Sequence, residues 1–182
     1  MTEKKFMEKI EIPSGIEVMI DASMLKVKGP KGENIKNIRN SKVKLQKENN
    51  FVNFSVIGTS RKHKSLLNSS LAHFKNMVKG VTTPYMYKLK ICSGHFPMNV
   101  TIDKNKIIIK NFLGEKVPRI AQVIEGVIVK VNGDIITVES SDLEKAGQVS
   151  ANIEIATRIP NKDRRVFQDG VFLIEKAGVP IK

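Results

Sequence analysis

Alternating hydrophobic and polar positions mark pairs of predicted strands along the chain. In the first half, one pair flanks the polar turn at residues 21–23, and residues 43–47 and 51–57 flank a turn at Asn49 and Asn50. Alternation with a period of two buries one face of a strand, and a polar turn between two such segments favours a β-hairpin. We therefore predict two hairpins in the first half.

The chain is similar to itself at an offset of 82 residues. The matched positions pair Ile16, Val18, Ile20, Asp21, Leu25, Val27, Lys28, Gly32 and Glu33 with Met98, Val100, Ile102, Asp103, Ile107, Ile109, Lys110, Gly114 and Glu115. Self-similarity at a fixed offset indicates a duplicated unit. In the second half it predicts a hairpin around residues 103–105, and a further hairpin is predicted around residues 132–134.

Both halves then change to the spacing of an amphipathic helix, in which apolar residues three or four positions apart share one face. The two stripes are Leu67, Leu71, Phe74 and Val78, and Ala146, Val149, Ile153 and Ala156. For the second helix, Ser141 and Glu144 form a capping-box pattern that predicts its start. Pro160 predicts its end.

These elements predict an α+β fold with two tandem, structurally similar domains, each a mainly antiparallel β-sheet with one helix packed on a face. The domains are expected at residues 1–82 and 83–182. Residues 85–91, near the boundary, are rich in side chains that favour strands. The junction is therefore predicted to be a strand rather than a flexible linker.

The net charge narrows the class of partner. Lys and Arg outnumber Asp and Glu by 31 to 18, which gives a formal net charge of +13. Because cationic side chains release condensed counterions when they meet phosphates, this excess favours nucleic acid over its main rival, an anionic membrane surface. Against a membrane, no apolar stretch of about 18 residues occurs, and residues 1–12 carry no apolar targeting region. The single cysteine, Cys92, fits a reducing compartment, so a cytoplasmic protein is expected.

No catalytic or metal-binding pattern is found in the sequence. The histidines His63, His73 and His95 are scattered, and the motifs GxSxG, HExxH and CxxC do not occur. The chain is therefore predicted not to be an enzyme and to need no cofactor or metal. An RNA-processing enzyme or nucleotide hydrolase would need a site that the sequence does not show. A protein adaptor that holds acidic partners stays as a third hypothesis.

A glycine-rich segment at residues 28–32 is superficially similar to a phosphate-binding loop. Its glycines lie three positions apart and Glu33 follows them, whereas a Walker loop has four residues between its glycines and then Lys and Ser or Thr. A tight turn after a strand is the favoured interpretation, because Gly and Pro are typical turn residues. An exposed basic turn could still contact RNA.

The positive charge is divided unevenly between the halves. Residues 1–82 carry 16 basic and 7 acidic residues, a net charge of +9, and the rest of the chain carries +4. Alternating lysines such as Lys42, Lys44 and Lys47 are equally well explained as the solvated face of a strand. The loop at residues 157–170 is more specific, because it is dense in Arg, Lys, Asn and Gln, which bind phosphates, sugars and bases.

Within this loop, Asp163 and Asp169 are expected to orient neighbouring arginines or to shape the turn at Gly170, since carboxylates repel RNA. Phe167 is expected to pack under the loop. Aromatic residues make up only 5% of the chain, which argues against a platform for single strands. Recognition of a folded RNA by its shape and phosphates is favoured instead.

Four ordered motifs occur along the chain: KVKGPKG at residues 26–32, HFP at 95–97, NFLGEK at 111–116 and RRVFQDGVFLIEK at 164–176. They resemble the archaeal and eukaryotic branch of the family of large-subunit ribosomal protein six. The chain lacks the longer insertions of eukaryotic members, so it is more similar to the archaeal ones. The resemblance implies a structural constituent of the large ribosomal subunit that binds large-subunit rRNA near the factor-binding region and the sarcin-ricin loop. Neighbouring ribosomal proteins and nearby translation factors are the other partners it implies.

The resemblance also implies that the second domain makes the main RNA contacts, although the first half carries more charge. By motif position, the RNA-binding residues that it implies are Asn111, Phe112, Gly114, Lys116, Arg119, Arg158, Asn161, Lys162, Arg164, Arg165, Gln168 and Gly170. Neither a small-molecule substrate nor a membrane contact is expected.

Overall fold

The structure is a computed structural model that describes residues 5–21, 24–38, 42–58, 60–163 and 165–181. The chain forms two compact units, Met1–Pro84 and Tyr85–Lys182. Each unit encloses a hydrophobic core of its own.

In the described part of the first unit, strands precede one long helix. The strands are β1 (Lys5–Glu11), β2 (Glu17–Asp21), β3 (Met24–Gly29), β4 (Gly32–Asn37), β5 (Val43–Glu48) and β6 (Phe51–Ile57), and the helix is α1 (Arg61–Thr82). One antiparallel sheet has the strand order β2-β3-β4, and a second has the order β1-β6-β5. Both predicted hairpins are confirmed, although the turn residues Ala22 and Ser23 lie outside the described residues.

Helix α1 closes the core of the first unit. Leu67 and Phe74 from the predicted stripe are buried, and the ring of Phe74 lies 5.6 Å from that of Phe54 in β6. Val52, Phe54 and Val56 alternate along β6 and are fully buried, as a strand period of two requires. The sequence pattern therefore identified both the helix and the strand that it covers.

The glycine-rich segment forms the predicted tight turn between β3 and β4. Gly29 pairs with Gly32 across the turn. A Cβ atom on Gly29 would lie 2.8 Å from a methyl carbon of Val81, so a larger residue would push the turn away from α1. The N–H of Lys31 also donates to the carbonyl of Val81 at 3.0 Å. The segment is thus packed against the end of a helix.

The second unit repeats this plan and extends it. Its strands are β7 (Tyr85–Cys92), β8 (Asn99–Asp103), β9 (Lys106–Lys110), β10 (Arg119–Gln122), β11 (Ile128–Asn132), β12 (Ile135–Ser140), β13 (Gly170–Lys176) and β14 (Val179–Pro180), with helix α2 (Leu143–Ala156) between β12 and β13. The smaller sheet has the order β10-β9-β8 and the larger one β11-β12-β7-β13-β14. The predicted α+β fold, and the strand at the junction, are confirmed.

The larger sheet of the second unit gains a strand after the helix. Strands β11-β12-β7 have the order and antiparallel pairing of β5-β6-β1, but β13 then adds to the other edge of β7. The chain must cross from the end of α2 to this added strand, and residues 157–169 make the crossing. The extra strand therefore creates the loop that the sequence singled out.

Helix α2 begins one residue later than the capping-box pattern predicted. Asp142 is the N-cap residue, and its carboxylate accepts the N–H of Glu144 at 2.8 Å. Ser141 and Asp142 both belong to the residue types that favour this position, so the sequence does not choose between them. The helix ends at Ala156, before Pro160. The fully buried residues of its predicted stripe are Ala146, Val149 and Ile153.

Candidate nucleic-acid interface

The two ends of the loop at residues 157–169 are held by one buried side chain. Thr157 is 4% exposed, and its hydroxyl accepts the N–H of Val171 at 3.0 Å while it donates to the carbonyl of Glu154 at 3.1 Å. The end of α2 and the start of β13 are therefore joined through a single oxygen atom. This joint restricts the conformations that the loop between them can adopt.

Inside the loop, Asp163 organises a turn that projects Arg165 outward. The carbonyl of Asp163 accepts the N–H groups of Val166 and Phe167 at 3.1 and 2.9 Å, and its carboxylate accepts the N–H of Arg165 at 2.9 Å. The guanidinium of Arg165 lies 3.4 Å from the same carboxylate, but its side chain is 90% exposed. Asp163 thus orients a neighbouring arginine, as predicted. Arg164, the adjacent predicted contact, lies outside the described residues.

Asp169 binds a histidine, a partner that neither alternative predicted for it, an arginine or the turn at Gly170, had included. Its side chain is 2% exposed and accepts hydrogen bonds from the backbone N–H of Gly94 at 2.6 Å, from that of His95 at 3.0 Å, and from Nδ1 of His95. Burial raises the pKa of Asp169, but these hydrogen bonds and the charge of His95 outweigh it, so the pKa lies below its ordinary value of 3.8. An ionised Asp169 requires a proton on Nδ1 of His95.

The ring of His95 is supported on a second side by Phe167. The two rings are nearly parallel, with centroids 5.3 Å apart and an angle of 19° between their planes. The Nζ atom of Lys162 lies 5.3 Å from the centroid of Phe167, which is within the range of a cation–π contact. Phe167 is half-buried, so its predicted packing under the loop takes the form of a stack with His95.

A second predicted segment, residues 111–116, forms a turn beside this loop. Asn111 has a φ of 58°, a conformation that asparagine tolerates better than most residues, and its side-chain amide donates to the carbonyl of Pro97 at 3.0 Å. Phe112 is 1% exposed and packs in the hydrophobic core, so its ring anchors the turn and is not presented to RNA. Gly114 is exposed and lies against Phe96, whose ring a Cβ atom would approach to 3.6 Å.

Arg119 joins separate elements of the second unit. Its Nε and Nη2 donate to the two carboxylate oxygens of Glu115 at 2.8 and 2.6 Å. Its Nη1 donates to the carbonyls of Ala156 and Arg158, each at 3.0 Å. The hydrogen bonds from Arg119 lower the pKa of Glu115. Because most of its donors are used within the second unit, we propose that Arg119 positions these elements, and its contact with RNA stays a prediction.

These contacts bring three segments together, residues 94–97, 111–119 and 157–169, which we call the three-segment surface. His95 and Asp169 join the first segment to the third, Asn111 joins the second to the first, and Arg119 joins the second to the third. The predicted residues that are exposed on this surface are Asn111, Gly114, Lys116, Arg158, Asn161, Lys162, Arg165 and Gln168.

Gly170 is buried at the start of β13 and differs from these exposed residues. Its φ is +156°, and a Cβ atom would lie 3.0 Å from the ring of Phe172. Gly170 therefore allows the backbone to pass from the loop into β13, and it is buried within the second unit.

Sequence reasoning missed His95 and Phe96 as members of the surface, although both are exposed. The HFP motif was visible, but His95 finds its partner Asp169 at a sequence separation of 74 residues. No charged residues adjoin His95 or Phe96 in the sequence, so the charge pattern gave no indication of this pairing. The signal in the sequence was that His95 and Asp169 both lie in motifs that resemble the family, HFP and RRVFQDGVFLIEK. The fold brings these two motifs into contact.

Part of the positive charge of the first unit is engaged within that unit. Lys26 lies 2.9 Å from the carboxylate of Glu33, and the ammonium group of Lys47 donates to the carbonyl of Val18 at 3.0 Å. The charge of the first half therefore overstates the number of cations that are free to meet phosphates.

The described residues lack the features of a metal site or of a membrane span. Among them, no group of three or more His, Cys, Asp or Glu side chains could hold a metal ion. No helix in that part of the chain combines the length and apolar character needed to cross a membrane. Cys92 is half-buried and free.

Comparison with known proteins gives a consistent result. The family model described as Ribosomal protein L6 matches residues 12–83 and 96–170, one segment in each unit. The large ribosomal subunit protein uL6 of Sulfurisphaera tokodaii is 45% identical over 170 residues, which cover 93% of this chain and 91% of the relative. The uL6 of Aeropyrum pernix is 42% identical over 170 residues, 93% of each chain, and that of Methanobrevibacter smithii is 41% identical over 169 residues, 93% and 95%. Because the family model matches most of the chain and these archaeal relatives align along nearly its whole length, the chain belongs to the ribosomal protein L6 family.

Proposed function

We propose that this chain binds large-subunit rRNA through the three-segment surface of its second unit and acts as a scaffold without catalysis. Membership of the L6 family makes it a structural constituent of the large ribosomal subunit, associated with rRNA and with other ribosomal proteins. The proposal adds which part of the molecule makes the main contact and by what physical means.

One observation carries the proposal: internal contacts occupy acidic groups of the surface and leave cations exposed. Asp169 is buried against His95, and Glu115 is paired with Arg119. Among the described residues of this surface, the exposed Lys and Arg side chains are those of Lys116, Arg158, Lys162 and Arg165. A surface that presents cations and pairs Asp169 and Glu115 with partners inside the protein suits contact with the phosphates of a folded RNA.

The internal ties also favour a positioning role. Because the loop is held at Thr157, Asp163 and Asp169, little ordering entropy remains to be lost when RNA binds. Such a preorganised surface suits a protein that holds RNA helices in a fixed relation. The resemblance to the family supports a place in cytoplasmic ribosomes near the factor-binding region and the sarcin-ricin loop, where the chain would support the docking of translation factors.

The test is the salt dependence of binding between the full chain and a transcript of large-subunit rRNA. If about six phosphates are neutralised, the log–log slope of the association constant against salt is roughly −4 to −5. The triple variant R158A/K162A/R165A should weaken binding at every salt concentration and make the slope shallower by about two to three. The matched control, K44A/K62A/K64A, removes three exposed lysines of the first unit and should have the smaller effect.

Two results would contradict the proposal. A wild-type slope near zero would remove phosphate contact as the mechanism. Equal losses from the two triple variants would show that the main interface does not lie in the second unit.

A further inference from the structure

We infer that the ring of His95 stacks on an unpaired base of the bound RNA, and that Asp169 and Phe167 hold the ring in the orientation that this contact requires. The inference rests on the proposed function, because it assigns one specific contact of the three-segment surface. It concerns a residue that neither the charge pattern nor the implied RNA-binding residues included.

The contacts described for the side chain of His95 lie at one edge and on one face of its ring. Asp169 binds the Nδ1 edge, and Phe167 covers one face at a centroid distance of 5.3 Å and an angle of 19°. The side chain nevertheless remains 41% exposed. Because the contacts described for His95 lie at the Nδ1 edge and on one face, we assign the exposed area mainly to the opposite face and to the edge that carries Nε2. A ring that is stacked on one face and open on the other can extend its stack by one more aromatic ring.

The support behind the ring distinguishes His95 from an ordinary surface histidine. A buried carboxylate is unfavourable unless it is paired, and the hydrogen bonds described for Asp169 all come from Gly94 and His95. A free surface side chain loses rotamer entropy when a partner orders it. Because His95 is already fixed at one edge and on one face, it loses less of this entropy when a base stacks on it.

The surroundings of the stack fit a nucleotide rather than an isolated aromatic ligand. On the Phe167 side of the stack, Arg158 and Lys162 line a cleft of about 360 Å³ together with Phe167 and Glu154, and His95 does not line this cleft. Cations in this position can meet the phosphates of nucleotides that neighbour the stacked base. Phe96, the residue after His95, is 48% exposed and adds apolar surface beside the ring. A chain poor in aromatic residues can therefore still provide one defined base-stacking position.

The test compares His95→Ala with His95→Phe in the full chain, each titrated with the large-subunit rRNA transcript. Loss of one base–aromatic stack weakens binding by roughly fivefold to a hundredfold, and this is the expected result for His95→Ala. His95→Phe keeps a ring that can stack but loses the hydrogen bond from Nδ1 to Asp169, so it should bind less tightly than the wild type and clearly more tightly than His95→Ala. The salt slope should not change in either variant, because no phosphate contact is removed.

The matched control is Phe51→Ala, which removes an aromatic ring of the first unit that is 43% exposed. It should bind like the wild type. Thermal unfolding of every variant is measured in parallel. If His95→Ala fails to fold, His95→Leu replaces it, because leucine provides similar bulk without an aromatic ring.

Three outcomes would overturn the inference. Equal losses for His95→Ala and His95→Phe would assign the effect to the imidazole nitrogens, and a slope shallower by about one would indicate an imidazolium–phosphate contact. Affinity of His95→Ala within about twofold of the wild type would show that no base stacks there. In each case a steep wild-type slope leaves the proposed function intact, whereas a flat wild-type slope removes both.

Discussion

At Asp169, a single carboxylate joins two segments that lie 74 residues apart in the sequence. Hydrogen bonds to an ionised carboxylate are stronger than those between neutral groups, because the acceptor carries the charge. Asp169 and His95 belong to separate motifs, and their types alone do not show that they meet. The sequence therefore predicted the composition of the loop, but the partner of Asp169 depends on the tertiary structure.

Replacement Asp169→Asn should destabilise the folded chain, because it keeps the size of the side chain but removes the charge that its three donors meet. We expect a loss of about 1–3 kcal/mol in the free energy of unfolding at pH 7, measured by urea denaturation. The control is Asp163→Asn, whose side chain is 52% exposed in the wild type. It should change the free energy by about 0.5 kcal/mol or less.

The same variant tests the charge of Asp169 through its pH dependence. Since folding lowers the pKa of Asp169 below 3.8, its ionised form stabilises the protein above that pH, and the contribution is lost as pH falls through the folded value. The stability difference between wild type and Asp169→Asn should therefore shrink in acid. A difference that stays constant down to about pH 2 would contradict this assignment.

Two of the strands that the sequence analysis did not predict, β4 and β10, have a hydrophobic pattern that disagrees with their burial. In β4, Asn34 is 6% exposed whereas Ile35 is 50% exposed, and in β10, Ala121 is 3% exposed whereas Ile120 is 51% exposed. A rule that places the larger apolar residue inside assigns the wrong face to both strands. The predicted hairpins lie where alternation and burial agree, so the period was informative there.

Arg119 connects the turn at residues 111–116 to the end of α2. Its replacement should therefore lower the stability of the fold without removing a contact to phosphate. Arg119→Ala leaves the carbonyls of Ala156 and Arg158 without this donor and Glu115 without its partner. We expect a loss of about 1–3 kcal/mol in the free energy of unfolding. Affinity for rRNA should fall because the surface is misplaced, but the salt slope should stay within error of the wild type, because no phosphate contact is lost.

The control for Arg119→Ala is Arg165→Ala, because the side chain of Arg165 is 90% exposed. Its free energy of unfolding should change by about 0.5 kcal/mol or less, while its salt slope becomes shallower by about one. If Arg119→Ala also makes the slope shallower, its guanidinium contacts phosphate and the positioning role is wrong.

For the whole molecule, net charge predicts the class of partner but does not by itself locate an interface. The first half carries a net charge of +9, yet some of its lysines are engaged within the unit. In the second unit, Asp169 is buried, and Glu115 is paired with Arg119 although its side chain is 39% exposed, so part of the acidic charge counted in the sequence is engaged within the protein. Charge totals combine paired and free groups, and only the fold separates them.

The division into two units makes a prediction about fragments of the chain. Residues 85–182 enclose their own hydrophobic core and contain the three-segment surface. This fragment should unfold cooperatively on its own and bind the rRNA transcript with a salt slope within about one of the full chain. A fragment of residues 93–182 is the control. It lacks β7, which pairs with both β12 and β13, and it should therefore not fold cooperatively.

Residues 1–84 provide the comparison that decides where the main interface lies. This fragment also has a core of its own and retains the larger share of positive charge. If charge content governed binding, it would bind the transcript more tightly and with a steeper salt slope than residues 85–182. We expect the reverse, because an interface depends on cations held in a fixed arrangement, and the ties at Thr157, Asp169 and Arg119 supply that arrangement only in the second fragment.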